Sequence, residues 1–178
     1  WSPSGERIAY SADQRFDGAY ELFVANADGS GAAVPIAGDL VPTASLIQYA
    51  WSPDGRHLAF NSDRRTDSVV ELFVVPADGS AAPTVRSGAL LANADVFNVA
   101  WSPDGDRLAF RSTRRTPNII EVFVASAFGD EEPIPLDAGL PSFSGVTRFS
   151  WSPDGTRIAF TCDRQIDGQF ELYVAAAG

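Results

Sequence analysis

Hydrophobic positions along this chain fall in short, unbroken runs that are separated by polar turns. Residues 58–60 form one such run and residues 72–75, after Glu71, form another, and neither alternates apolar with polar positions. A strand with one wet face alternates, so unbroken runs predict strands that are covered on both faces. Residues 52–55, Ser-Pro-Asp-Gly, predict a type I turn before the first of these runs, because Pro presets φ and Gly tolerates a positive φ.

This pattern of runs and turns occurs four times, and the copies begin fifty residues apart. Each copy opens with Trp-Ser-Pro, followed by Asp or, in the first copy, Ser, and then by Gly. The opening residues are Trp1, Trp51, Trp101 and Trp151. A repeat of this period indicates a stacked array of one supersecondary unit, in which neighbours bury each other's apolar faces.

Each copy predicts four short antiparallel strands. In the second copy they lie at 46–52, 56–62, 71–75 and 83–86, and the last contains Pro and Arg, which suit an outer sheet edge. Two covered faces and this period predict an all-β fold, a β-propeller fragment with incomplete first and last blades. The predicted blades are residues 1–44, 45–94, 95–144 and 145–178. We expect flanking sequence to supply the rest of a propeller of about six to eight blades.

Composition and charge exclude several kinds of partner and chemistry. A net charge of -10 and a pI near 4.4 argue against nucleic acid as a partner, because phosphate binding requires basic side chains. No apolar run approaches the roughly 18 residues of a membrane span, so no membrane insertion is expected. All thirteen basic residues are Arg, which removes lysine-dependent catalysis. One His and one Cys cannot form a zinc site. A calcium site at the repeated Asp-Gly turns is the alternative, but no loop has the required carboxylate spacing, so we expect no metal and no cofactor.

The recurring motif is specific over all four copies. It reads Trp-Ser-Pro-Asp-Gly-x-Arg/His-Ile/Leu-Ala-Phe, followed by Ser-Asp-Arg, Glu-Leu-Phe-Val and Ala-Asp-Gly. This motif resembles the TolB-type propeller repeat, and it is similar to propeller modules beside the catalytic domain of prolyl-oligopeptidase and dipeptidyl-peptidase enzymes. The resemblance implies a periplasmic or secreted, non-enzymatic module that binds or scaffolds a protein or peptide. The alternative is a substrate-gating propeller of a serine peptidase whose catalytic domain lies outside this chain.

The candidate binding surface is the propeller face that carries the variable connections. In an up-and-down blade, the second-to-third and fourth-to-first loops emerge together, and here they differ from copy to copy. Six arginines accompany these loops: Arg15, Arg64, Arg65, Arg114, Arg115 and Arg164. They predict a ring that holds a carboxylate or a peptide end through bidentate contacts. The alternative is that they pair within the chain, with loop Asp residues or with the Glu at 21, 71, 121 and 171.

The other recurring residues are interpreted as structural. The four Trp are expected to pack between blades, with Trp1 exposed because its strand is missing. The predicted turn residues are Asp54, Asp104, Asp154, Gly55, Gly105 and Gly155. His57 replaces the Arg of the other copies and is expected to face solvent.

Overall fold

A computed structural model describes residues 1–15, 17–18, 20–38, 46–66, 68–91, 93–116, 118–136, 145–163 and 168–178. In chain order the strands are β1 (Arg7–Ala12), β2 (Glu21–Asn26), β3 (Val34–Pro35), β4 (Leu46–Trp51), β5 (His57–Ser62), β6 (Glu71–Pro76), β7 (Thr84–Val85), β8 (Val96–Trp101), β9 (Arg107–Ser112), β10 (Glu121–Ser126), β11 (Ile134–Pro135), β12 (Val146–Trp151), β13 (Arg157–Cys162) and β14 (Glu171–Ala176). Within the described ranges, no helix is long and apolar enough to cross a membrane.

The strands form four separate antiparallel sheets, one for each copy of the repeat. The two middle sheets have the orders β4-β5-β6-β7 and β8-β9-β10-β11, and the outer two have the orders β1-β2-β3 and β12-β13-β14. The predicted all-β propeller fragment with incomplete first and last blades is therefore confirmed. The Pro-containing strands β3 and β11 are edge strands, as is β7. The predicted blade limits near 44 and 144 lie outside the described residues.

Both faces of each middle sheet are covered by neighbouring sheets. Leu58, Ala59 and Phe60 on β5 are each 0% exposed, although successive side chains of a strand point to opposite faces. Phe60 packs with residues of the first sheet, whereas Ala59 packs with residues of the third. The unbroken apolar run thus serves two interfaces at once.

In the third and fourth copies, the recurring Trp donates a hydrogen bond to the preceding sheet. The indole Nε1 of Trp101 donates to the carbonyl of Ala50 at 3.0 Å, and that of Trp151 donates to the carbonyl of Ala100 at 3.2 Å. In contrast, Nε1 of Trp51 is buried without a hydrogen-bond partner in the described part of the chain.

An arginine of the preceding sheet covers the Trp at two of the three junctions. The guanidinium of Arg7 lies 5.1 Å from the Trp51 ring centre, and that of Arg107 lies 5.2 Å from the Trp151 ring centre. Arg107 also donates to the carbonyl of Gly155 at 2.7 Å. These contacts combine cation–π attraction with a hydrogen bond across the junction.

The remaining junction uses an aromatic contact instead. His57 lies 4.8 Å from the ring of Phe128, which occupies the turn position held by Asp78 in the second copy. Phe128 in turn lies 6.3 Å from Trp101. The expectation that His57 faces solvent is therefore wrong, because Phe128 gives the imidazole an apolar surface to pack on.

Candidate functional site

The Ser-Pro-Asp-Gly turns form one rim of the sheets and use their own polar groups. In the second copy, the amide of Gly55 donates to the carbonyl of Ser52 at 2.9 Å, and Gly55 has a φ of 70°. A carboxylate oxygen of Asp54 accepts from the Ser52 hydroxyl at 2.6 Å and from the Arg56 amide at 2.9 Å. Asp104, Asp154, Gly105 and Gly155 occupy the same places in the third and fourth copies. The turn carboxylates thus accept hydrogen bonds from groups of their own turns.

The hydrogen bonds at these turns stabilise the ionised carboxylates. A hydroxyl bond from Ser152 and an amide bond from Thr156 lower the pKa of Asp154 from 3.8 to about 2. Bonds from Ser52 and then the Arg56 amide lower the pKa of Asp54 in the same way.

Replacing Asp154 by Ala is expected to remove a contribution to stability that depends on pH. Because the pKa of Asp154 is lower in the folded chain, its stabilisation is complete above about pH 4 and disappears as the pH falls towards about 2. The urea midpoints of the wild type and the variant should therefore differ at about pH 5 and draw together as the pH falls towards about 2. Pro153→Ala disturbs the same turn but removes no titrating group. The difference between its urea midpoint and that of the wild type should therefore stay the same as the pH falls.

Three of the candidate arginines on the variable-loop face pair with the glutamate that begins β2, β6 or β10 in their own sheet. The pairs are Arg15 with Glu21, Arg65 with Glu71, and Arg115 with Glu121. The three glutamates are buried, whereas the arginine side chains remain partly exposed. These three guanidinium groups thus form ion pairs within the chain, as the alternative to ligand binding predicts.

Glu71 is held less completely than its two counterparts. Burial raises the pKa of Glu71, and the nearby Arg65 and Arg64 oppose this shift. Its oxygen Oε2 is buried without a hydrogen bond from the described residues. The Arg65 contact, at 3.3 Å, therefore only partly compensates for burying this carboxylate.

Two further candidates, Arg64 and Arg114, lie over phenylalanine rings of β6 and β10. The guanidinium carbon of Arg64 lies 5.3 Å from the Phe73 ring centre, and that of Arg114 lies 5.4 Å from the Phe123 ring centre. Arg114 also forms an ion pair with Glu132, just before the edge strand β11. The sixth candidate, Arg164, lies outside the described residues. The structure thus places each described candidate in contacts within the chain, and their role in ligand binding stays a prediction.

A different set of polar contacts, which the sequence analysis did not single out, reaches the first strands of the last three sheets. These strands, β4, β8 and β12, lie at the end of each sheet opposite the outer edge and are called the innermost strands. Asn61 and Arg111 occupy the same position in β5 and β9, and each donates across a junction to the next sheet. The amide of Asn61 donates to the carbonyls of Val96 and Phe97, at 3.3 and 2.6 Å. Arg111 donates to the carbonyl of Val146 at 2.9 Å.

These acceptor carbonyls are available because the innermost strands are irregular there. The pairing of β8 with β9 shifts register between Val96 and Val99, and β12 shifts between Val146 and Arg148. A bulge leaves backbone groups out of the ladder, and a side chain of the preceding sheet can satisfy them. The sequence signal was that residues 11, 61, 111 and 161 are all polar at the end of an apolar strand.

Arg111 and Arg148 also line a cavity of about 400 Å³ between the third and fourth sheets. Burial lowers the pKa of Arg111, because desolvation disfavours its charged form. Among the residues that the structure describes, no group of three or more His, Cys, Asp or Glu is placed to hold a metal ion. The polar cavity between these sheets is therefore cationic in character.

Solved β-propellers share this fold. The putative TolB from Agrobacterium tumefaciens superposes with a TM-score of 0.65 at 18% identity, over 99% of this chain and 65% of that one. A structure from a study of two prolyl endopeptidases gives 0.63 at 16% identity, over 98% and 27%. The β-propeller domain of the Trilobed protease from Pyrococcus furiosus gives 0.61 at 19% identity, over 98% and 52%. This chain thus spans at most 65% of the length of any of the three.

Comparison of the sequence itself identifies the family. No curated protein sequence matches the chain significantly. Residues 23–176, which include the Trp repeats at 51, 101 and 151, match the model of the lipoprotein LpqB β-propeller domain. This match and the likeness to TolB structures confirm the TolB-like propeller expected from the repeated motif. The chain belongs to the family of the lipoprotein LpqB β-propeller domain.

Proposed function

We propose that this chain is a non-enzymatic module that binds or scaffolds another protein or a peptide through its variable-loop face. One observation carries the proposal: connections that differ between copies are fixed at their base by an Arg–Glu pair, as with Arg65 and Glu71. A loop that is already ordered loses less entropy on binding. The opposite rim repeats nearly the same turn in every copy and offers less variety for recognition.

The proposed setting is outside the cytoplasm, in the periplasm or in secreted form. Support comes from the names of the matching proteins, a lipoprotein domain and TolB. The acidic net charge of -10 suits a protein partner better than a nucleic acid.

Site-specific crosslinking in living cells tests which face binds. A photo-crosslinking residue placed at exposed Ser68, in a variable loop, is expected to give adducts with a discrete protein partner. The same residue at exposed Arg56, on the turn rim, should give none, which controls for random collision. Adducts from Arg56 alone, or hydrolase turnover by the purified chain, would contradict the proposal.

The alternative function is that of a substrate-gating propeller in a serine peptidase. The fold match to the prolyl endopeptidase structure, which extends over 98% of this chain, favours it. A fluorophosphonate probe applied to the full-length polypeptide distinguishes the two, because it labels an activated serine nucleophile. Labelling of a serine outside these 178 residues would support the peptidase, and the absence of labelling would support the binding module.

A further inference from the structure

We propose that the cavity between the innermost strands β8 and β12 is a carboxylate-binding site, in which Arg148 and Arg111 hold an acidic group of a peptide ligand. This inference rests on the proposed peptide-binding function and adds to it a second contact site, of defined chemistry, outside the variable-loop face. The site lies on the innermost strands, apart from the arginines of the variable-loop face.

A line of polar side chains crosses the innermost strands at one position of the repeat. Gln48, Asn98 and Arg148 occupy this position in the second, third and fourth copies. The amide of Asn98 donates to the Gln48 side-chain oxygen at 3.4 Å, and Nη2 of Arg111 donates to the side-chain oxygen of Asn98. Asn98 is thus held between neighbouring copies, and it forms the wall of the cavity beside the two arginines.

The two arginines of this cavity are not neutralised. Neither Arg111 nor Arg148 forms an ion pair with a carboxylate of the described residues. Arg115, in contrast, pairs with a buried glutamate in the same sheet as Arg111. In a chain whose net charge is -10, two like charges share one cavity, and an anion would relieve both their repulsion and the desolvation of Arg111.

One carboxylate does lie near Arg111, but it is engaged elsewhere. Asp163 lines an adjoining cavity together with Arg111. Its two oxygens accept from the amides of Gly145 at 2.8 Å and Gly168 at 3.2 Å, and these bonds lower its pKa. Asp163 is therefore committed to the loop backbone, and its distance from Arg111 exceeds that of an ion pair.

The two guanidinium groups have different roles. Arg111 already donates through Nη1 to the carbonyl of Val146 and through Nη2 to Asn98, so it is fixed in place and acts mainly through its charge. Arg148 is exposed, and its side chain has no hydrogen-bond partner in the described part of the chain. Its planar array of donors is thus available for a bidentate contact with a carboxylate.

The rest of the lining indicates what accompanies the carboxylate. Val99, Ala100 and Phe149 contribute apolar surface beside the two arginines. The volume of about 400 Å³ falls within the range of small-ligand pockets. This combination fits a carboxylate that stands next to an apolar side chain, as at a peptide C-terminus or at an acidic residue within an apolar segment.

Three short peptides separate the possible sources of the carboxylate. The probes are acetyl-Ala-Ala-Phe with a free C-terminus, the same peptide as its C-terminal amide, and acetyl-Ala-Glu-Phe amide. Each is titrated into the isotopically labelled full-length polypeptide, and binding is followed through the backbone amide signals of Thr147 and Arg148. We expect one of the two carboxylate peptides to bind at least about tenfold more tightly than the neutral amide, because charge-assisted bonds exceed neutral ones. Equal binding of all three, or no binding, would overturn the proposal.

Two variants with the same change of net charge locate the site. Arg148→Gln is expected to weaken binding of the preferred carboxylate peptide by about ten- to a hundredfold, since it removes the free bidentate donor. Arg56→Gln, on the distant turn rim, should leave the affinity unchanged. Equal weakening by both would assign the effect to overall charge and would overturn the site. If Arg148→Gln bound the peptide like the wild type while crosslinking at Ser68 still captured a partner, the site would be wrong and the proposed function would stand.

Discussion

Replacing Trp101 by Ala is expected to lower the free energy of unfolding by about 3–5 kcal/mol, the range for a buried large aromatic side chain. Trp101 is 9% exposed and packs in the core between the second and third sheets. The substitution removes this contact area and the hydrogen bond from Nε1 to the carbonyl of Ala50. It also removes part of the support for Phe128. Urea unfolding followed by circular dichroism measures the change, since the variant has lost a Trp as a fluorescence probe.

The first copy of the repeat provides a matched control for this substitution. Trp1 has the same place in the sequence motif, but its side chain is 73% exposed. Trp1→Ala in the same 178-residue chain is therefore expected to change the free energy of unfolding by about 0.5 kcal/mol or less. A loss of similar size in both variants would mean that the Trp acts through its local turn rather than through contact between sheets.

Trp101 also shows which part of the fold can be read from the sequence. The fifty-residue period and the unbroken apolar runs depend only on local order along the chain. They predicted strands at 56–62 and 71–75, and the structure has His57–Ser62 and Glu71–Pro76. A sheet covered on both faces leaves little choice about where its apolar residues lie, so pattern alone was sufficient.

Contacts across the junctions could not be predicted in this way. His57 and Phe128 are far apart in the sequence, and only the stacking of the second sheet on the third brings them together. Each looks like an unrelated departure from the repeat until that geometry is known. Together they replace a charged side chain and the Asp of the turn by two aromatic rings, which keeps the junction filled.

The candidate site was harder to predict for a related reason. An arginine beside a variable loop has the same sequence signature whether it binds a ligand or forms an ion pair within its own sheet. The structure shows Arg15 and Arg115 paired with buried glutamates, whereas Arg148 on an innermost strand has no such partner among the residues that the structure describes. The register shift of β12, which the sequence does not reveal, sets the backbone around Arg148 and the carbonyls that Arg111 contacts.

Replacing Arg115 by Ala is expected to be the most destabilising change on the variable-loop face, at about 3–5 kcal/mol near neutral pH. Glu121 is 1% exposed, and Arg115 is its charge partner in the described residues, with Nε 3.3 Å from Oε2 and a second contact from Nη2 to Oε1. Without Arg115 the carboxylate remains buried and uncompensated. The loss comes from this desolvated charge rather than from the strength of the pair itself.

Two comparisons separate the buried charge from the loss of an arginine as such. Arg56 has a side chain that is 82% exposed and lies 4.0 Å from exposed Asp54, so Arg56→Ala should cost about 0.5 kcal/mol or less. Arg115→Leu combined with Glu121→Leu removes both charges and keeps apolar volume, so it is expected to be much closer to the wild type than Arg115→Ala. If Arg115→Ala proved no worse than Arg56→Ala, water would have to reach Glu121, and the pair would not secure the loop.

A second substitution in the Arg115→Ala background tests the cause of the deficit directly. Glu121→Gln keeps the shape of the buried side chain but removes its charge, so adding it to Arg115→Ala should recover part of the lost free energy of unfolding. Urea unfolding of the single and double variants measures this recovery. A deficit that Glu121→Gln left unchanged would indicate lost packing of the Arg115 side chain. In that case the pairs at the loop bases would contribute shape rather than charge compensation to the proposed binding face.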